Sequence, residues 1–202
     1  MDVRTKILTG AEEAFRRYGI KSMTMDDISR NLGISKKTIY QYFKNKNELV
    51  LLSLENHLNN EKVYFDQIGE TSKDAVEQLV IMSRYMKQML TQMNPSLLLD
   101  MQKFYPKAWE YFQDHKYECI TDSLIKNLNK GIAEGNYREG INTEVLARFR
   151  VEQIQLGFDP HIYPIDKFSP MDVQLELMEH FIMGIITEKG LELFNKYMNE
   201  NV

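Results

Sequence analysis

The sequence predicts an all-α protein: an N-terminal three-helix unit built around a helix-turn-helix, then a larger helical body, about nine helices together. Two observations carry this. Apolar residues recur three and four apart through most of the chain, the spacing that lines one face of an α-helix. Strand signals are weak, because no alternating run exceeds a few residues and no Asn-Gly or Asp-Gly hairpin pair occurs.

Asp2 to Tyr18 puts Val3, Ile7, Leu8, Ala11, Ala14, Phe15 and Tyr18 on one helical stripe closed by Gly19, and Tyr18 is expected to be buried with the others. Thr24 then N-caps a short helix in which Ile28 and Leu32 lie four apart and Asp27 favours the positive N-terminus. Gly33 follows where a chain leaving a helix often turns through left-handed backbone. Ser35 caps a third helix, Lys36 to Phe43, too short to fold without neighbours. A fourth helix starts near Lys46 and reaches about Ile68, with Leu49, Leu52, Leu58 and Phe65 inward. A fifth, Lys73 to Met93, ends before Pro95, and Ser96 to Phe104 is a short one stopped near Pro106. Lys107 to Glu134 reads as one long helix closed by Gly135 and Asn136. Thr143 caps a helix through Leu156, and residues 157–170 hold three of the five prolines and read as a loop. The last helical region, Met171 to Tyr197, is expected to break near Gly190.

Chemistry concentrates on the third helix. Ile39 and Phe43 form its apolar side, which leaves Lys36, Lys37, Thr38, Tyr40, Gln41 and Tyr42 free for other uses. Two lysines, a hydroxyl, an amide and two tyrosines make a good surface for a DNA major groove. Lys37, Thr38 and Gln41 are the candidates for base edges. Lys36, Tyr40, Tyr42 and Lys46 are candidates for phosphates, as is Thr24 near a helix N-terminus. The plain alternative is a helical hairpin with a lysine-rich solvated end. It does not account for the spacing, the glycine turn, the Ser35 cap and the local charge together.

These residues resemble the DNA-binding domain of the TetR family of bacterial transcriptional regulators. The family pattern is A-x-x-x-F-x-x-x-G, then T-x-x-x-I-A-x-x-x-G-[VI]-S, then T-[IL]-Y-x-[YH]-F-x-x-K-x-x-L. Here Ala11 to Gly19 reads AEEAFRRYG, Thr24 to Ser35 reads TMDDISRNLGIS and Thr38 to Leu49 reads TIYQYFKNKNEL. Ser29 stands where alanine is usual, and the small residue of the first helix lies one position off the commonest spacing, with Ala11 and Ala14 both available. The resemblance covers about a quarter of the chain, a dozen positions agreeing in type, order and spacing. It implies a helix-turn-helix domain over residues 1–46 and a helical regulatory domain over residues 47–202, with the fourth helix running from one into the other. It also implies a homodimer formed by the last two long helices, a small-molecule site in the body, and control of a double-stranded DNA operator, most often as a repressor.

Charge follows the same division. The chain carries a net −4, yet residues 1–50 are +4 and residues 51–202 are −8. A basic head on an acidic body is expected when only the head meets phosphates. The single cysteine, Cys119, excludes an internal disulfide and fits a reducing cytosol. The first twenty residues are charged throughout and no apolar run is long enough to span a bilayer, so a soluble cytoplasmic protein is expected. His115 and Cys119, four apart, fall short of a zinc site and lack the third group of a catalytic one, and no Gly-rich phosphate loop occurs. No metal, cofactor or enzymatic activity is expected. Two alternatives remain open: a helical small-molecule-binding protein or enzyme with an incidental hairpin, and a DNA-binding regulator governed by a protein partner.

The body offers two apolar groups. Met and aromatic residues between Tyr85 and Phe112 suit an adaptable pocket, for which Tyr85, Met89, Phe104, Trp109 and Tyr163 are the candidates and a small, largely apolar molecule the ligand. The run Phe181 to Ile186 is apolar nearly all round and includes Gly184, so it needs a partner on more than one face. Phe149, Leu175, Met178, Ile182 and Ile185 are therefore the candidates for a dimer interface.

Overall fold

The computed structural model describes residues 2–200. Eleven α-helices occur among them: α1 (Val3–Tyr18), α2 (Met25–Leu32), α3 (Lys36–Tyr42), α4 (Lys46–Thr71), α5 (Ala75–Thr91), α6 (Leu97–Phe104), α7 (Pro106–His115), α8 (Thr121–Ala133), α9 (Thr143–Leu156), α10 (Pro170–Ile185) and α11 (Glu188–Asn199). A π-helical turn, Lys116–Ile120, joins α7 to α8. The chain forms two compact units. One holds the residues up to Glu61 with Gln92–His115, the other Lys62–Thr91 with the residues from Lys116 onward.

The first unit does not end near Lys46, because its core is completed from far along the chain. Ile7, Phe15, Ile28, Ile39, Phe43 and Leu49 are buried together with Met101 of α6 and Ala108 of α7. The polar joints agree: the Lys21 N–H donates to the Asp100 carboxylate at 3.0 Å, and the Asn94 N–H donates to the Arg16 carbonyl at 2.7 Å. Three short helices enclose little apolar area, and α6 and α7 add what they lack. Tyr18, expected inside, is 46% exposed with the Arg17 guanidinium 5.4 Å from its ring.

In the second unit, α5, α8, α9, α10 and α11 surround a core of Val76, Leu128, Tyr137, Val151, Phe181, Ile182 and Ile185. The Tyr137 hydroxyl lies 3.0 Å from the Ala75 carbonyl oxygen and 3.1 Å from Asn127 Oδ1. Its ring lies so close to Gly131 that a Cβ there would stand 2.6 Å from the ring Cγ. The break in the last helical region falls at Ile186 and Thr187, not at Gly190. Ile186 bridges to Tyr137, the Arg138 N–H donates to the Ile185 carbonyl at 2.8 Å, and the Thr187 N–H donates to that of Asn136 at 3.0 Å. Thr187 then caps α11 by accepting the Gly190 N–H at 3.1 Å. Gly190 serves instead as a point of close approach, since a Cβ would collide with the Asn136 carbonyl oxygen.

Two further expectations are corrected. Lys107 to Glu134 is helical but not uniformly α, because the π turn inserts an extra residue and shifts the faces of α7 and α8 out of register. Ile182 and Ile185 are only 2% and 1% exposed within one protomer, so neither offers surface to a second copy. Helix α10 packs on both α5 and α9, and Phe181, Ile182 and Ile185 of its apolar C-terminal half are buried in the second core. The exposed apolar residues of these helices are Val145, Phe149 and Leu156 on α9 and Met183 on α10.

Gly131→Ala is expected to cost about 1–3 kcal/mol by overpacking against Tyr137. The urea midpoint should fall with an unchanged m-value; an unaltered midpoint would contradict the packing described.

Candidate nucleic-acid interface

Local hydrogen bonds fix the turn that presents α3. Thr24 and Asp27 form a reciprocal capping box: the Thr24 N–H donates to the Asp27 carboxylate at 3.0 Å, and the Asp27 N–H donates to Thr24 Oγ1 at 3.1 Å. The Thr24 hydroxyl and N–H together hold the Asp27 carboxyl below its ordinary range. Gly33 turns the chain at φ 66°, a left-handed conformation that a side chain would strain, and the Ile34 N–H donates to the Ser29 carbonyl at 3.0 Å. Ser35 Oγ accepts the Thr38 N–H at 3.0 Å and starts α3.

A seven-residue helix has almost no stability of its own. Ile39 and Phe43, 0% and 1% exposed, tie it to the first core, each burial stabilising by roughly 1.5–3 kcal/mol. The opposite face is thereby fixed outward. Lys37 and Gln41, one turn apart, are exposed, and their side chains have no hydrogen bond or ion pair among the described residues. Tyr40 and Tyr42 are nearly half exposed. Thr38 is half-buried, and its hydroxyl shares a 2.8 Å hydrogen bond with Ser35 Oγ. The base-edge candidates thus share one helix, with Lys37 and Gln41 the freer pair.

The phosphate candidates differ more. Lys36 Nζ lies 2.7 Å from Asp26 of α2, and that hydrogen-bonded carboxylate raises the lysine's pKa. Asp26 is a residue that sequence spacing missed: it is visible as a first-turn acid, but pairing across the turn depends on the crossing of α2 and α3. Thr24 commits its hydroxyl to Asp27 at 2.5 Å. Lys46 is half-buried with its ammonium 5.7 Å from the Tyr105 ring.

The five pocket candidates are divided between the units. Trp109 packs on Phe112 at 5.6 Å in the first unit, where Phe104 is exposed with Lys21 and Lys103 ammonium groups 5.3 and 5.4 Å from its ring. In the second unit Tyr85 lies 5.2 Å from both Tyr64 and Phe65, Met89 is half-buried, and Tyr163 meets Phe168 edge-on at 5.7 Å. A cleft of about 520 Å³ in the first unit, beside Lys44, Glu48, Leu51 and Tyr105, is lined by none of the five. Among the described residues no group of three or more His, Cys, Asp or Glu is placed to hold a metal ion. None of the described helices is long and apolar enough to cross a membrane.

Comparison with known proteins points to the same residues. The sequence profile described as "Bacterial regulatory proteins, tetR family" matches residues 7–52. The chain is 26% identical over 189 residues to the HTH-type transcriptional regulator YvaF of Bacillus subtilis, covering 88% of this chain and 94% of that one. Among solved structures, a TetR-family transcriptional regulator from Agrobacterium tumefaciens matches with a TM-score of 0.73 at 17% identity, over 91% of this chain and 97% of that one. FadR from Bacillus subtilis, in complex with stearoyl-CoA, matches with a TM-score of 0.60 at 16% identity, over 89% and 98%. At these identities the structural likeness is one of fold.

Asp26→Asn should free Lys36 for a phosphate. Affinity for all duplexes should rise alike, and the salt dependence should steepen by up to about one unit. Weaker binding, or an altered base preference, in a salt-titrated anisotropy assay would remove Lys36 from the phosphate group.

Proposed function

We infer, because the chain belongs to the TetR family of bacterial regulatory proteins, that it is a sequence-specific DNA-binding transcriptional regulator, a repressor that a small ligand releases from its operator. The observation that carries this reading is the free Lys37–Gln41 row on a helix pinned by Ile39 and Phe43. In a major groove, Lys37 can donate to guanine acceptors and Gln41 can pair with adenine through its donor and acceptor. Tyr40, Tyr42 and Lys36 would fix the register on flanking phosphates. The chain would act in the cytoplasm, where such DNA is found, and no step of this function requires a catalytic residue.

The reading includes a homodimer. Two heads related by a two-fold axis meet a palindromic operator whose half-sites are about one helical turn apart, or a multiple of it. Phe149, 52% exposed on α9, and Met183, 44% exposed on α10, are exposed apolar groups available for such an interface, and Leu175 and Met178 of α10 are half-buried. The ligand reading is supported by FadR, which shares the fold and binds stearoyl-CoA; only the capacity to bind a small molecule is carried over. Tyr85 and Met89 offer one soft wall for it in the second unit. Release then requires the ligand to bind more tightly to an arrangement of the dimer that does not fit the operator.

Gln41→Ala tests the base contact. Discrimination at one operator position should fall by about 1–3 kcal/mol while affinity for random duplex is kept; equal loss on both would move Gln41 to the backbone contacts. For the dimer, Phe149→Glu should yield soluble, folded monomer by light scattering with weakened operator binding. Ile182→Glu should instead unfold the protomer, since it buries a charge without a partner. A dimer unaffected by Phe149→Glu would place the interface elsewhere.

A further inference from the structure

Helices α9 and α10 pack with a polar seam at their contact. The Gln174 Nε2 donates to the Ile154 carbonyl at 2.6 Å, and a Cβ on Gly157 would collide with the same amide. Two turns further along α10, the Phe181 ring lies 5.9 Å from the Arg150 guanidinium, so the helices run antiparallel with 157 opposite 174 and 150 opposite 181. Gln153, three residues from Arg150, lies along the same stretch of α9. The three side chains are 6%, 4% and 2% exposed in the order Arg150, Gln153, Gln174.

Each of the three leaves one polar atom unpaired. Arg150 Nη1, Gln153 Oε1 and Gln174 Oε1 are buried with no hydrogen-bond partner among the described residues. Native proteins leave few buried polar groups unpaired, and a charged one is the costliest to leave so. Burial alone lowers the Arg150 guanidinium to about 10, with no acidic group acting on it, so at neutral pH the unit holds an uncompensated interior cation. Lys116, another buried cation in this unit, shows the contrast. Its ammonium lies 3.0 Å from Glu152 and donates to Gln155 Oε1 at 2.7 Å. Along the seam the unpaired groups are one cationic donor, beside the Phe181 ring, and two amide acceptors, Gln153 one turn along α9 and Gln174 opposite residues 154 and 157.

We propose that the α9–α10 seam is the polar end of the effector site, where Arg150 takes the carboxylate of a small organic acid and Gln153 and Gln174 accept hydrogen bonds from a hydroxyl or N–H that the acid carries. The proposal rests on the reading of the chain as a ligand-released regulator and names the ligand class. Guanidinium groups bind carboxylates in a planar, two-pronged geometry that an ammonium cannot copy. The unpaired atoms are closed to solvent, so the acid enters only when α9 and α10 part. These helices also carry Phe149 and Met183, so acid binding and the proposed dimer surface draw on the same pair of elements.

Thermal unfolding of the full-length protein provides the test. The probes are 3-hydroxybutanoate, 3-hydroxyoctanoate, salicylate and N-acetylphenylalanine, each beside its methyl ester. At least one acid should raise Tm by about 5 °C or more at a hundredfold excess over its Kd, and its ester should not. Arg150→Met should unfold no lower than the unliganded wild type and bind that acid about tenfold or more weakly. Arg150→Lys, which keeps the charge and loses the fork, covers the case in which the methionine variant does not fold, and should also bind the acid more weakly. Esters as effective as acids, an unchanged Kd in the variants, or no stabilisation by any acid would each overturn the proposal. An acid that binds through Arg150 but leaves DNA bound would keep the site and refute ligand release. A neutral compound that releases DNA equally from wild type and Arg150→Met would keep release and refute the site.

Discussion

The burial of Ile39 and Phe43 in the first core is the constraint on which the DNA-facing chemistry depends. Helix α3 is seven residues long and cannot hold its own shape. Its two apolar anchors decide which side faces inward, and so decide that Lys37 and Gln41 face out. Around those anchors, the Thr24–Asp27 capping box, the left-handed Gly33 and the Ser35 cap set the angle between α2 and α3. The reading head is therefore rigid at its base and free only at the tips of its side chains. That is the condition for selective contacts, because ordering side chains on binding costs less when the backbone is already fixed.

The second unit is organised differently. Its backbone is stapled where residues 136–138 meet 185–187, and Tyr137, Asn127 and Gln78 form a buried network with the Ala75 carbonyl. Every member of that network has a partner among the others. The α9–α10 seam leaves three buried polar atoms unpaired among the described residues, one of them on a guanidinium, where the staple leaves one, Asn136 Oδ1.

Much of the head was legible in the sequence because its signals are local. The Thr24 and Ser35 caps, the Gly33 turn and the Ile39 and Phe43 anchors are set by residues within a few positions of one another. The contribution of α6 and α7 to the same core was not legible, since a contact between Lys21 and Asp100 leaves no trace in periodicity. The same limit explains Ile182 and Ile185. An all-round apolar helix needs partners on several faces, but periodicity does not say whether they belong to the same chain. Tyr18 is exposed beside Arg17 although Phe15 and Ile20 on either side of it are buried in the core, a difference that the spacing of the stripe does not express. The π turn and the unpaired state of Arg150 depend on three-dimensional packing and have no sequence signature.

Selection of bound fragments from random duplex DNA with the purified full-length protein tests the central claim most directly. The account predicts recovery of a two-fold symmetric motif with half-sites about one helical turn apart, or a multiple of it. Recovery of no enriched sequence, or of a single asymmetric motif bound by one protomer, would contradict it.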